Sequence, residues 1–407
     1  SAPPTSSRLR VSGPCFVLQM LLIILFAAFV RYSPDPSPGL CSPQHNCSSR
    51  RNPGSGSYYL RSWNVHLQTL MGFGFLMVFL SRYSMESAAT CFLVTAFAIQ
   101  WALLIQGFLY SFRNGKIYME ARSMVRADFC AGAVLVSTGA VLGWGNPLRL
   151  LLLSLLEVPL FSANEYVLLH LMGVRDSGGS LTVHTFGAYF GLALSWSSRE
   201  HRAHRTEQQR DTGHPPDVLA AVGTVCLWIF WPGFVSATVA AAEPWAELNM
   251  YVAMAASTLA TFVMSPLLQR DRPCMRQVQD AAVAGAITMG MAGEMLLAPF
   301  GALVAGFLAG LIPPLSSRFL VPVFGRRPGI GDACGVHGAH GLPGVLGAML
   351  GTLLAALATA DAYGDRLQVA FPRVADGSRT ATYQALCQLC ALPVTLLLAV
   401  LGGSASG

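Results

Sequence analysis

Apolar runs of about twenty residues, separated by short breaks rich in Gly, Pro, Ser and Arg, follow one another along the chain. A bilayer-spanning helix needs about 20 mostly apolar residues. Twelve segments satisfy this, near 14–31, 65–81, 87–110, 123–143, 147–172, 181–197, 217–236, 246–267, 278–296, 298–316, 339–361 and 381–402. The first, from about Cys15 to Val30, follows Arg8 and Arg10, a positive flank that suits a signal peptide or a membrane helix. No small-x-small cleavage site follows it and many further spans do, so it reads as the first membrane helix. The last run meets Leu401-Gly-Gly-Ser-Ala-Ser-Gly407 without a polar tail, so a truncated final helix is expected. The pattern predicts an all-α fold: a polytopic membrane bundle of about twelve transmembrane helices, forming one membrane domain over residues 1–407.

Composition strengthens that reading. The 407 residues are 53% hydrophobic and 11% charged, with a mean hydropathy of +0.50, against roughly 25% charged residues in soluble chains. The formal charge of +6 comes from arginine, Lys116 being the only lysine. It is spread over loops with no basic stripe interleaved with aromatics, which excludes a nucleic-acid partner and leaves the lipid bilayer as the surroundings. Nucleotide-phosphate loops and Gly-x-Ser-x-Gly elbows are absent, so no enzyme is expected.

The segment 31–64 is polar and irregular and holds Asn46-Cys47-Ser48, a glycosylation acceptor sequence. Use of Asn46 makes this loop extracellular and the N-terminus cytoplasmic; Cys41 and Cys47 can then pair. The same topology puts Arg199, Arg202, Arg205 and Arg210 inside, with the later groups at Arg270–Arg276 and Arg318–Arg327. Arg50, Arg51 and Arg366 fall outside, so the positive-inside bias is modest.

Against this background two polar repeats stand out. Asp176-Ser-Gly-Gly-Ser-Leu-Thr-Val-His184 and Asp332-Ala-Cys-Gly-Val-His-Gly-Ala-His340 each place an aspartate eight residues before a histidine inside apolar, glycine-flanked sequence. Titratable groups are expensive in lipid and mark functional paths. Eight helical residues rise about 12 Å, which would set each aspartate near a mouth and each histidine deeper along one path. The duplication points to two halves around a shared pore. An imidazole accepts, donates or relays a proton near neutrality; a lone one can equally be a core histidine bonded to a carbonyl. Each aspartate can cap a helix start, attract a cation, or do both.

Glu165 and Glu294 also fall inside apolar spans and would line a wet cavity or meet a polar neighbour. Aromatic bulk recurs at Asp128-Phe129-Cys130 and Phe230-Trp231-Pro232-Gly233-Phe234, either as core packing or as a stacked pair across a narrow path. Asp332, Cys334, His337 and His340 form the nearest approach to a metal cluster, but their spacing fits no familiar zinc site. No metal and no cofactor are expected. Cys387-x-x-Cys390 lies in an apolar span, where packing is its role.

Several of these stretches, in order, resemble the ammonium transporter and Rhesus glycoprotein family over nearly the whole chain. They include Gly72-Phe-Gly-Phe-Leu-Met77, Ile99-Gln-Trp101, Ala127-Asp-Phe-Cys130, Asn164-Glu165 and His184-Thr-Phe-Gly-Ala-Tyr-Phe-Gly191. Leu227-Trp-Ile-Phe-Trp-Pro232, Glu294-Met, Asp332-Ala-Cys-Gly335 and His340-Gly-Leu-Pro-Gly344 complete the set. The resemblance implies the ammonium transporter fold, with an inverted pseudo-two-fold repeat, and a homotrimer with one pore per subunit at the plasma membrane, basolateral in epithelia. It implies His184 and His340 as twin pore histidines, Phe129 and Phe234 as the outer gate, Asp176 and Asp332 as acidic support, and Glu165 as a vestibule residue. The cargo implied is ammonia or ammonium, with methylammonium as analogue. Ammonium would gather at the acidic vestibule, lose its proton on entering low dielectric, and pass the histidines as ammonia.

Three positions depart from the family pattern. Arg126 stands where a small polar amide is usual, Val235 replaces an asparagine after the second gate residue, and Asp280 replaces an asparagine in the ninth span. Arg126 would alter the vestibule potential. Two other functions fit the same scaffold: a non-conducting structural or anchoring Rh-like protein, and permeation of CO2.

Overall fold

The structure, a computed structural model, describes residues 5–33, 64–76, 85–142, 146–198, 216–236, 244–268, 275–320, 322–323, 331–332 and 334–407. Each of the twelve predicted segments contains a helix among its described residues. The helices are α1 (Thr5–Phe29), α2 (Gln68–Leu76, wound as a π-helix), α3 (Met85–Tyr110), α4 (Ala121–Val141), α5 (Pro147–Glu165) and α6 (Phe186–Ser197). The second six are α7 (Pro216–Ser236), α8 (Pro244–Leu268), α9 (Met275–Gly290), α10 (Pro299–Leu315), α11 (Leu342–Ala356) and α12 (Ala381–Ser406). A π-helical turn, Tyr166–Leu171, continues α5.

Local sequence sets several of these boundaries. Asn146 caps α5, its Oδ1 accepting the Leu148 amide at 3.1 Å, with Pro147 at the first helical position. Thr380 caps α12 by accepting the Tyr383 amide at 3.1 Å. Internal prolines occur at Pro159, Pro232, Pro266, Pro313 and Pro393. Neighbouring helices in a membrane bundle re-satisfy the backbone groups they free.

The ninth span ends early. The sequence predicts helix to 296, but α9 stops at Gly290, and Met291–Ala298 crosses to α10 as turns. The helix yields there because Ser180 Oγ of another segment takes over the local bonding: it donates to the Ile287 carbonyl at 2.6 Å and accepts the Met291 amide at 2.7 Å. The all-α expectation also misses a small sheet. β1 (Val30–Tyr32) pairs in parallel with β3 (Lys116–Met119), which pairs antiparallel with β2 (Phe112–Arg113). It ties the end of α1 to the end of α3.

The bundle has a dry centre. In α4, 89% of the apolar span is buried, against 6% for the span in α1. The outward faces are apolar, with Phe300 73% and Leu267 76% exposed, as expected where the solvent is lipid. Eight helices among the described residues are long and apolar enough to cross a membrane. Against α4 packs α6, where Gly187 and Gly191 face the Ala133 and Ser137 carbonyl oxygens; a Cβ at either glycine would lie 2.6 Å from its oxygen. Small residues spaced by four thus let these two backbones touch, the usual device of helices packed in lipid. Asn46, Cys41, Cys47 and most of the loop 31–64 lie outside the described residues.

Candidate functional site

The two Asp-to-His repeats fold to one plan. Each aspartate lies outside the helices, each is followed three residues later by a glycine with φ of +72° (Gly179 and Gly335), and each then enters a short π-helix, Ser180–Thr185 or His337–Gly341. The histidine lies within that π-helix, and an α-helix, α6 or α11, follows at once. The expected 12 Å helical rise therefore does not occur: the first half of each repeat is a turn. Gly179 and Gly335 supply the left-handed backbone that reverses the chain.

The aspartates act on backbone. Asp176 Oδ2 accepts the amides of Leu181 at 3.0 Å and Thr182 at 2.8 Å, and the Thr182 hydroxyl at 3.0 Å. Asp332 accepts the Val336 amide at 2.8 Å and the His337 amide at 3.0 Å. These are the orphan donors of a helix start, here satisfied by a carboxylate. Burial pushes both carboxyls up from their ordinary range, while these same hydrogen bonds pull them down.

Each repeat is also sewn to the opposite half. The Gly178 amide donates to the Gly290 carbonyl of α9 at 2.8 Å, and the Cys334 amide to the Gly139 carbonyl of α4 at 3.1 Å. Gly178 and Cys334 both stand two residues after their aspartate, so the tethers obey the inverted repeat.

The π-helical turns bring His184 and His340 together. Their Nδ1 atoms are 3.2 Å apart, a hydrogen-bond distance in which one ring donates and the other accepts. The rings lie 5.4 Å apart at an interplanar angle of 21°. His184 is fully buried and His340 is 8% exposed. Trp231, on α7, stacks on His184 at 5.5 Å and 21°. One turn further along α7, Phe234 stacks face to face on Phe129 of α4, at 4.3 Å and 8°. Aromatic and imidazole rings thus run in series from Phe129 and Phe234 through Trp231 to His184 and His340. On the far side Tyr189 meets His337 edge-on at 5.7 Å.

A polar cluster lies outside the phenylalanine pair. Glu165, at the end of α5, is 5% exposed. Its Oε2 accepts from Gln106 Nε2 at 3.1 Å and from the Tyr110 hydroxyl at 3.3 Å. Arg126 stacks its guanidinium 3.9 Å from the centre of the Tyr110 ring. Asp128 pairs with His66. Glu294 pairs with Arg175 at 3.5 Å, so its expected polar neighbour is a cation beside Asp176 rather than water alone. The departures have places too. Val235 packs in the narrow space left by Gly178 and Gly293, and Asp280 pairs within α9 with Arg276 at 3.7 Å.

Sequence reasoning placed His184, His340, Phe129, Phe234, Asp176, Asp332 and Glu165, and the structure brings them into this one array. It missed Trp231, whose signal was its spacing three residues before Phe234 on one helix. It also missed the Asp128–His66 pair and the Tyr110 bridge between Arg126 and Glu165. No group of three metal-ligating side chains occurs among the described residues. Asp332 and His340 of the weighed cluster are engaged elsewhere, with backbone amides and with His184.

Comparison with known proteins places this array in context. The model of the Ammonium Transporter Family matches residues 21–406. Ammonium transporter Rh type B of Papio hamadryas is 49% identical over 406 residues, covering 98% of this chain and 88% of that protein. The Homo sapiens protein of the same name is 48% identical with the same coverage. Among solved structures, Nitrosomonas europaea Rh50, described with the mechanism of conduction by the Rhesus protein family of channels, superposes with a TM-score of 0.69. It is 29% identical, over 86% of this chain and 87% of that one. The S453D variant of Candida albicans Mep2 shares the fold at 16% identity, with a TM-score of 0.65 over 86% of this chain and 84% of that one.

Proposed function

The chain belongs to the Ammonium Transporter Family, and from that premise we propose that it carries ammonia and ammonium across the plasma membrane as neutral ammonia, through a pore lined by His184 and His340. The observation that carries this reading is the pair of facing imidazoles, Nδ1 to Nδ1 at 3.2 Å, set behind a stacked phenylalanine pair in an otherwise apolar core. Glu165 draws the cation to the mouth. Charge is far costlier than a neutral molecule in low dielectric, so ammonium leaves its proton before the phenylalanines. Phe129 and Phe234 form the gate and strip water from the cargo. The histidine pair then supplies one donor and one acceptor to a molecule that both donates and accepts. Asp176 and Asp332 hold the two π-helical turns that aim the rings, and they do not touch the cargo.

The pore works in a homotrimer with one path per subunit, as the family resemblance implies, and the N-terminus is cytoplasmic, which the loop arginines support. Basolateral placement in epithelia follows from the family resemblance. The test is ammonia flux into proteoliposomes holding a pH-sensitive dye. The intact chain should alkalinise the lumen faster than protein-free vesicles, and His184→Ala with His340→Ala should remove the difference. Equal flux in the intact and doubly substituted proteins would overturn the assignment.

A further inference from the structure

The mouth at Glu165 carries its own cation. Arg126 lies on α4 three residues before Phe129, so it shares a face with the gate residue and sits one turn outside it. Two features there would attract a free ammonium ion, the Glu165 carboxylate and the face of Tyr110. Arg126 meets the tyrosine face directly and the carboxylate through it. Its guanidinium covers the Tyr110 ring at 3.9 Å, and the same tyrosine donates to Glu165 Oε2 at 3.3 Å. Gln106, one turn before Tyr110 on α3, donates to Glu165 Oε2 at 3.1 Å and lies 3.4 Å from the Arg126 carbonyl oxygen. Carboxylate, tyrosine, glutamine and arginine thus form one connected unit, and the arginine charge acts on Glu165.

The second half of the chain shows what the unit looks like without the charge. The tethered carbonyls of Gly139 and Gly290 set the correspondence of the two halves: Arg126 stands thirteen residues before Gly139, and the residue thirteen before Gly290 is the neutral Gln277. Arg276, beside it, is paired along its own helix with Asp280 at 3.7 Å.

We propose that Arg126 is a specificity residue of the Glu165 mouth: a tethered cation that competes with ammonium for the carboxylate and the tyrosine face, so that Glu165 recruits ammonium more weakly than it would alone. This rests on reading Glu165 as the recruiting carboxylate of the proposed pore. One unit charge removed from a partly solvated site a few ångströms away changes cation affinity on the order of tenfold. The neutral path behind Phe129 is untouched by the exchange.

Titration calorimetry of methylammonium into the purified full chain tests the proposal without reference to flux. Arg126→Asn and Arg126→Gln should each bind methylammonium about tenfold more tightly than the unaltered protein. Arg126→Lys should bind as weakly as the unaltered protein, because it keeps the charge. Adding Glu165→Gln to Arg126→Asn should abolish the gain. If neither neutral variant binds more tightly, or if Arg126→Lys binds as tightly as Arg126→Asn, the tethered-cation role is wrong. Gel filtration in detergent confirms that each variant is folded, and using two neutral variants guards against loss of one. A chain that bound as expected but conducted nothing would instead overturn the proposed transport.

Discussion

In the first crossover, Asp176 gathers two backbone amides and a hydroxyl ahead of His184; in the second, Asp332 gathers two amides ahead of His340. Both turn on a glycine at φ +72° and both wind a π-helix around the histidine. Their surroundings differ. Asp176 is 5% exposed and Gly179 faces Val183 and Phe129, whereas Asp332 is half-buried and Gly335, among the described residues, faces the end of the Arg276 side chain. The first crossover is locked into the core beside the stacked phenylalanines, and the second, among the described residues, leaves its aspartate more exposed. An inverted repeat can keep the geometry of its catchment residues while the two ends diverge in packing.

The sharpest way to break this comparison is to remove each carboxylate. Each buried donor left without an acceptor costs about 1–3 kcal/mol. Asp176→Ala strands three donors in the core, so it should lose roughly 3 kcal/mol or more, and much of the protein should fail to reach a folded state. Asp332→Ala strands two amides nearer water and should lose about 1–2 kcal/mol. Thermal midpoints of the detergent-solubilised variants would rank them, and an Asp332→Ala protein less stable than Asp176→Ala would refute the asymmetry.

A second, smaller contrast uses the glycines. A left-handed backbone costs a non-glycine residue roughly 1–2 kcal/mol, so Gly179→Ala and Gly335→Ala should share that loss. At Gly179 the new Cβ would also fall 2.9 Å from Val183 Cβ and 3.5 Å from the Phe129 ring. At Gly335 it would meet, among the described residues, the Arg276 Nη2 atom at 3.0 Å, at the end of a flexible side chain. Gly179→Ala should therefore lower ammonia flux in proteoliposomes by disturbing the stacked phenylalanines, and Gly335→Ala should leave flux near that of the unaltered chain. Equal flux losses would mean that the gate is not positioned through Gly179.

What the sequence made legible follows from the same physics. Twenty-residue apolar runs can satisfy their backbone in lipid only as helices, so the number and order of spans could be read directly. Titratable pairs in such runs are too costly to be incidental, which is why His184 and His340 could be singled out before their rings were seen to meet. The π-helical turns could not be read, because they arise from side chains elsewhere: Asp176 takes amides that an α-helix start would leave to water. The early end of α9 at Gly290 depends on Ser180, 110 residues distant in sequence. The stack of Arg126 on Tyr110 joins two helices whose register no local pattern fixes. Trp231 was visible as bulk, but its place between Phe234 and His184 is a matter of two segments distant in sequence converging.

The smallest contrast concerns the two arginines at the two mouths. Arg276 and Asp280 form a partly exposed pair four residues apart, at 3.7 Å. Such helix-surface pairs contribute about 0.3–0.5 kcal/mol. Arg276→Gln should therefore shift the thermal midpoint barely at all, and it should leave methylammonium binding unchanged, because Arg276 lies beside Asp280 and the Gly335 turn rather than over the Tyr110 ring of the Glu165 mouth. Arg126 has no such neighbour along α4, where the residues four before and four after it are Arg122 and Cys130. Its charge is turned across the mouth to Tyr110 and Glu165 instead. A change in methylammonium affinity on Arg276→Gln equal to that on Arg126→Asn would show that net charge on the chain, and not the position of one arginine over the tyrosine that bonds Glu165, governs what the mouth admits.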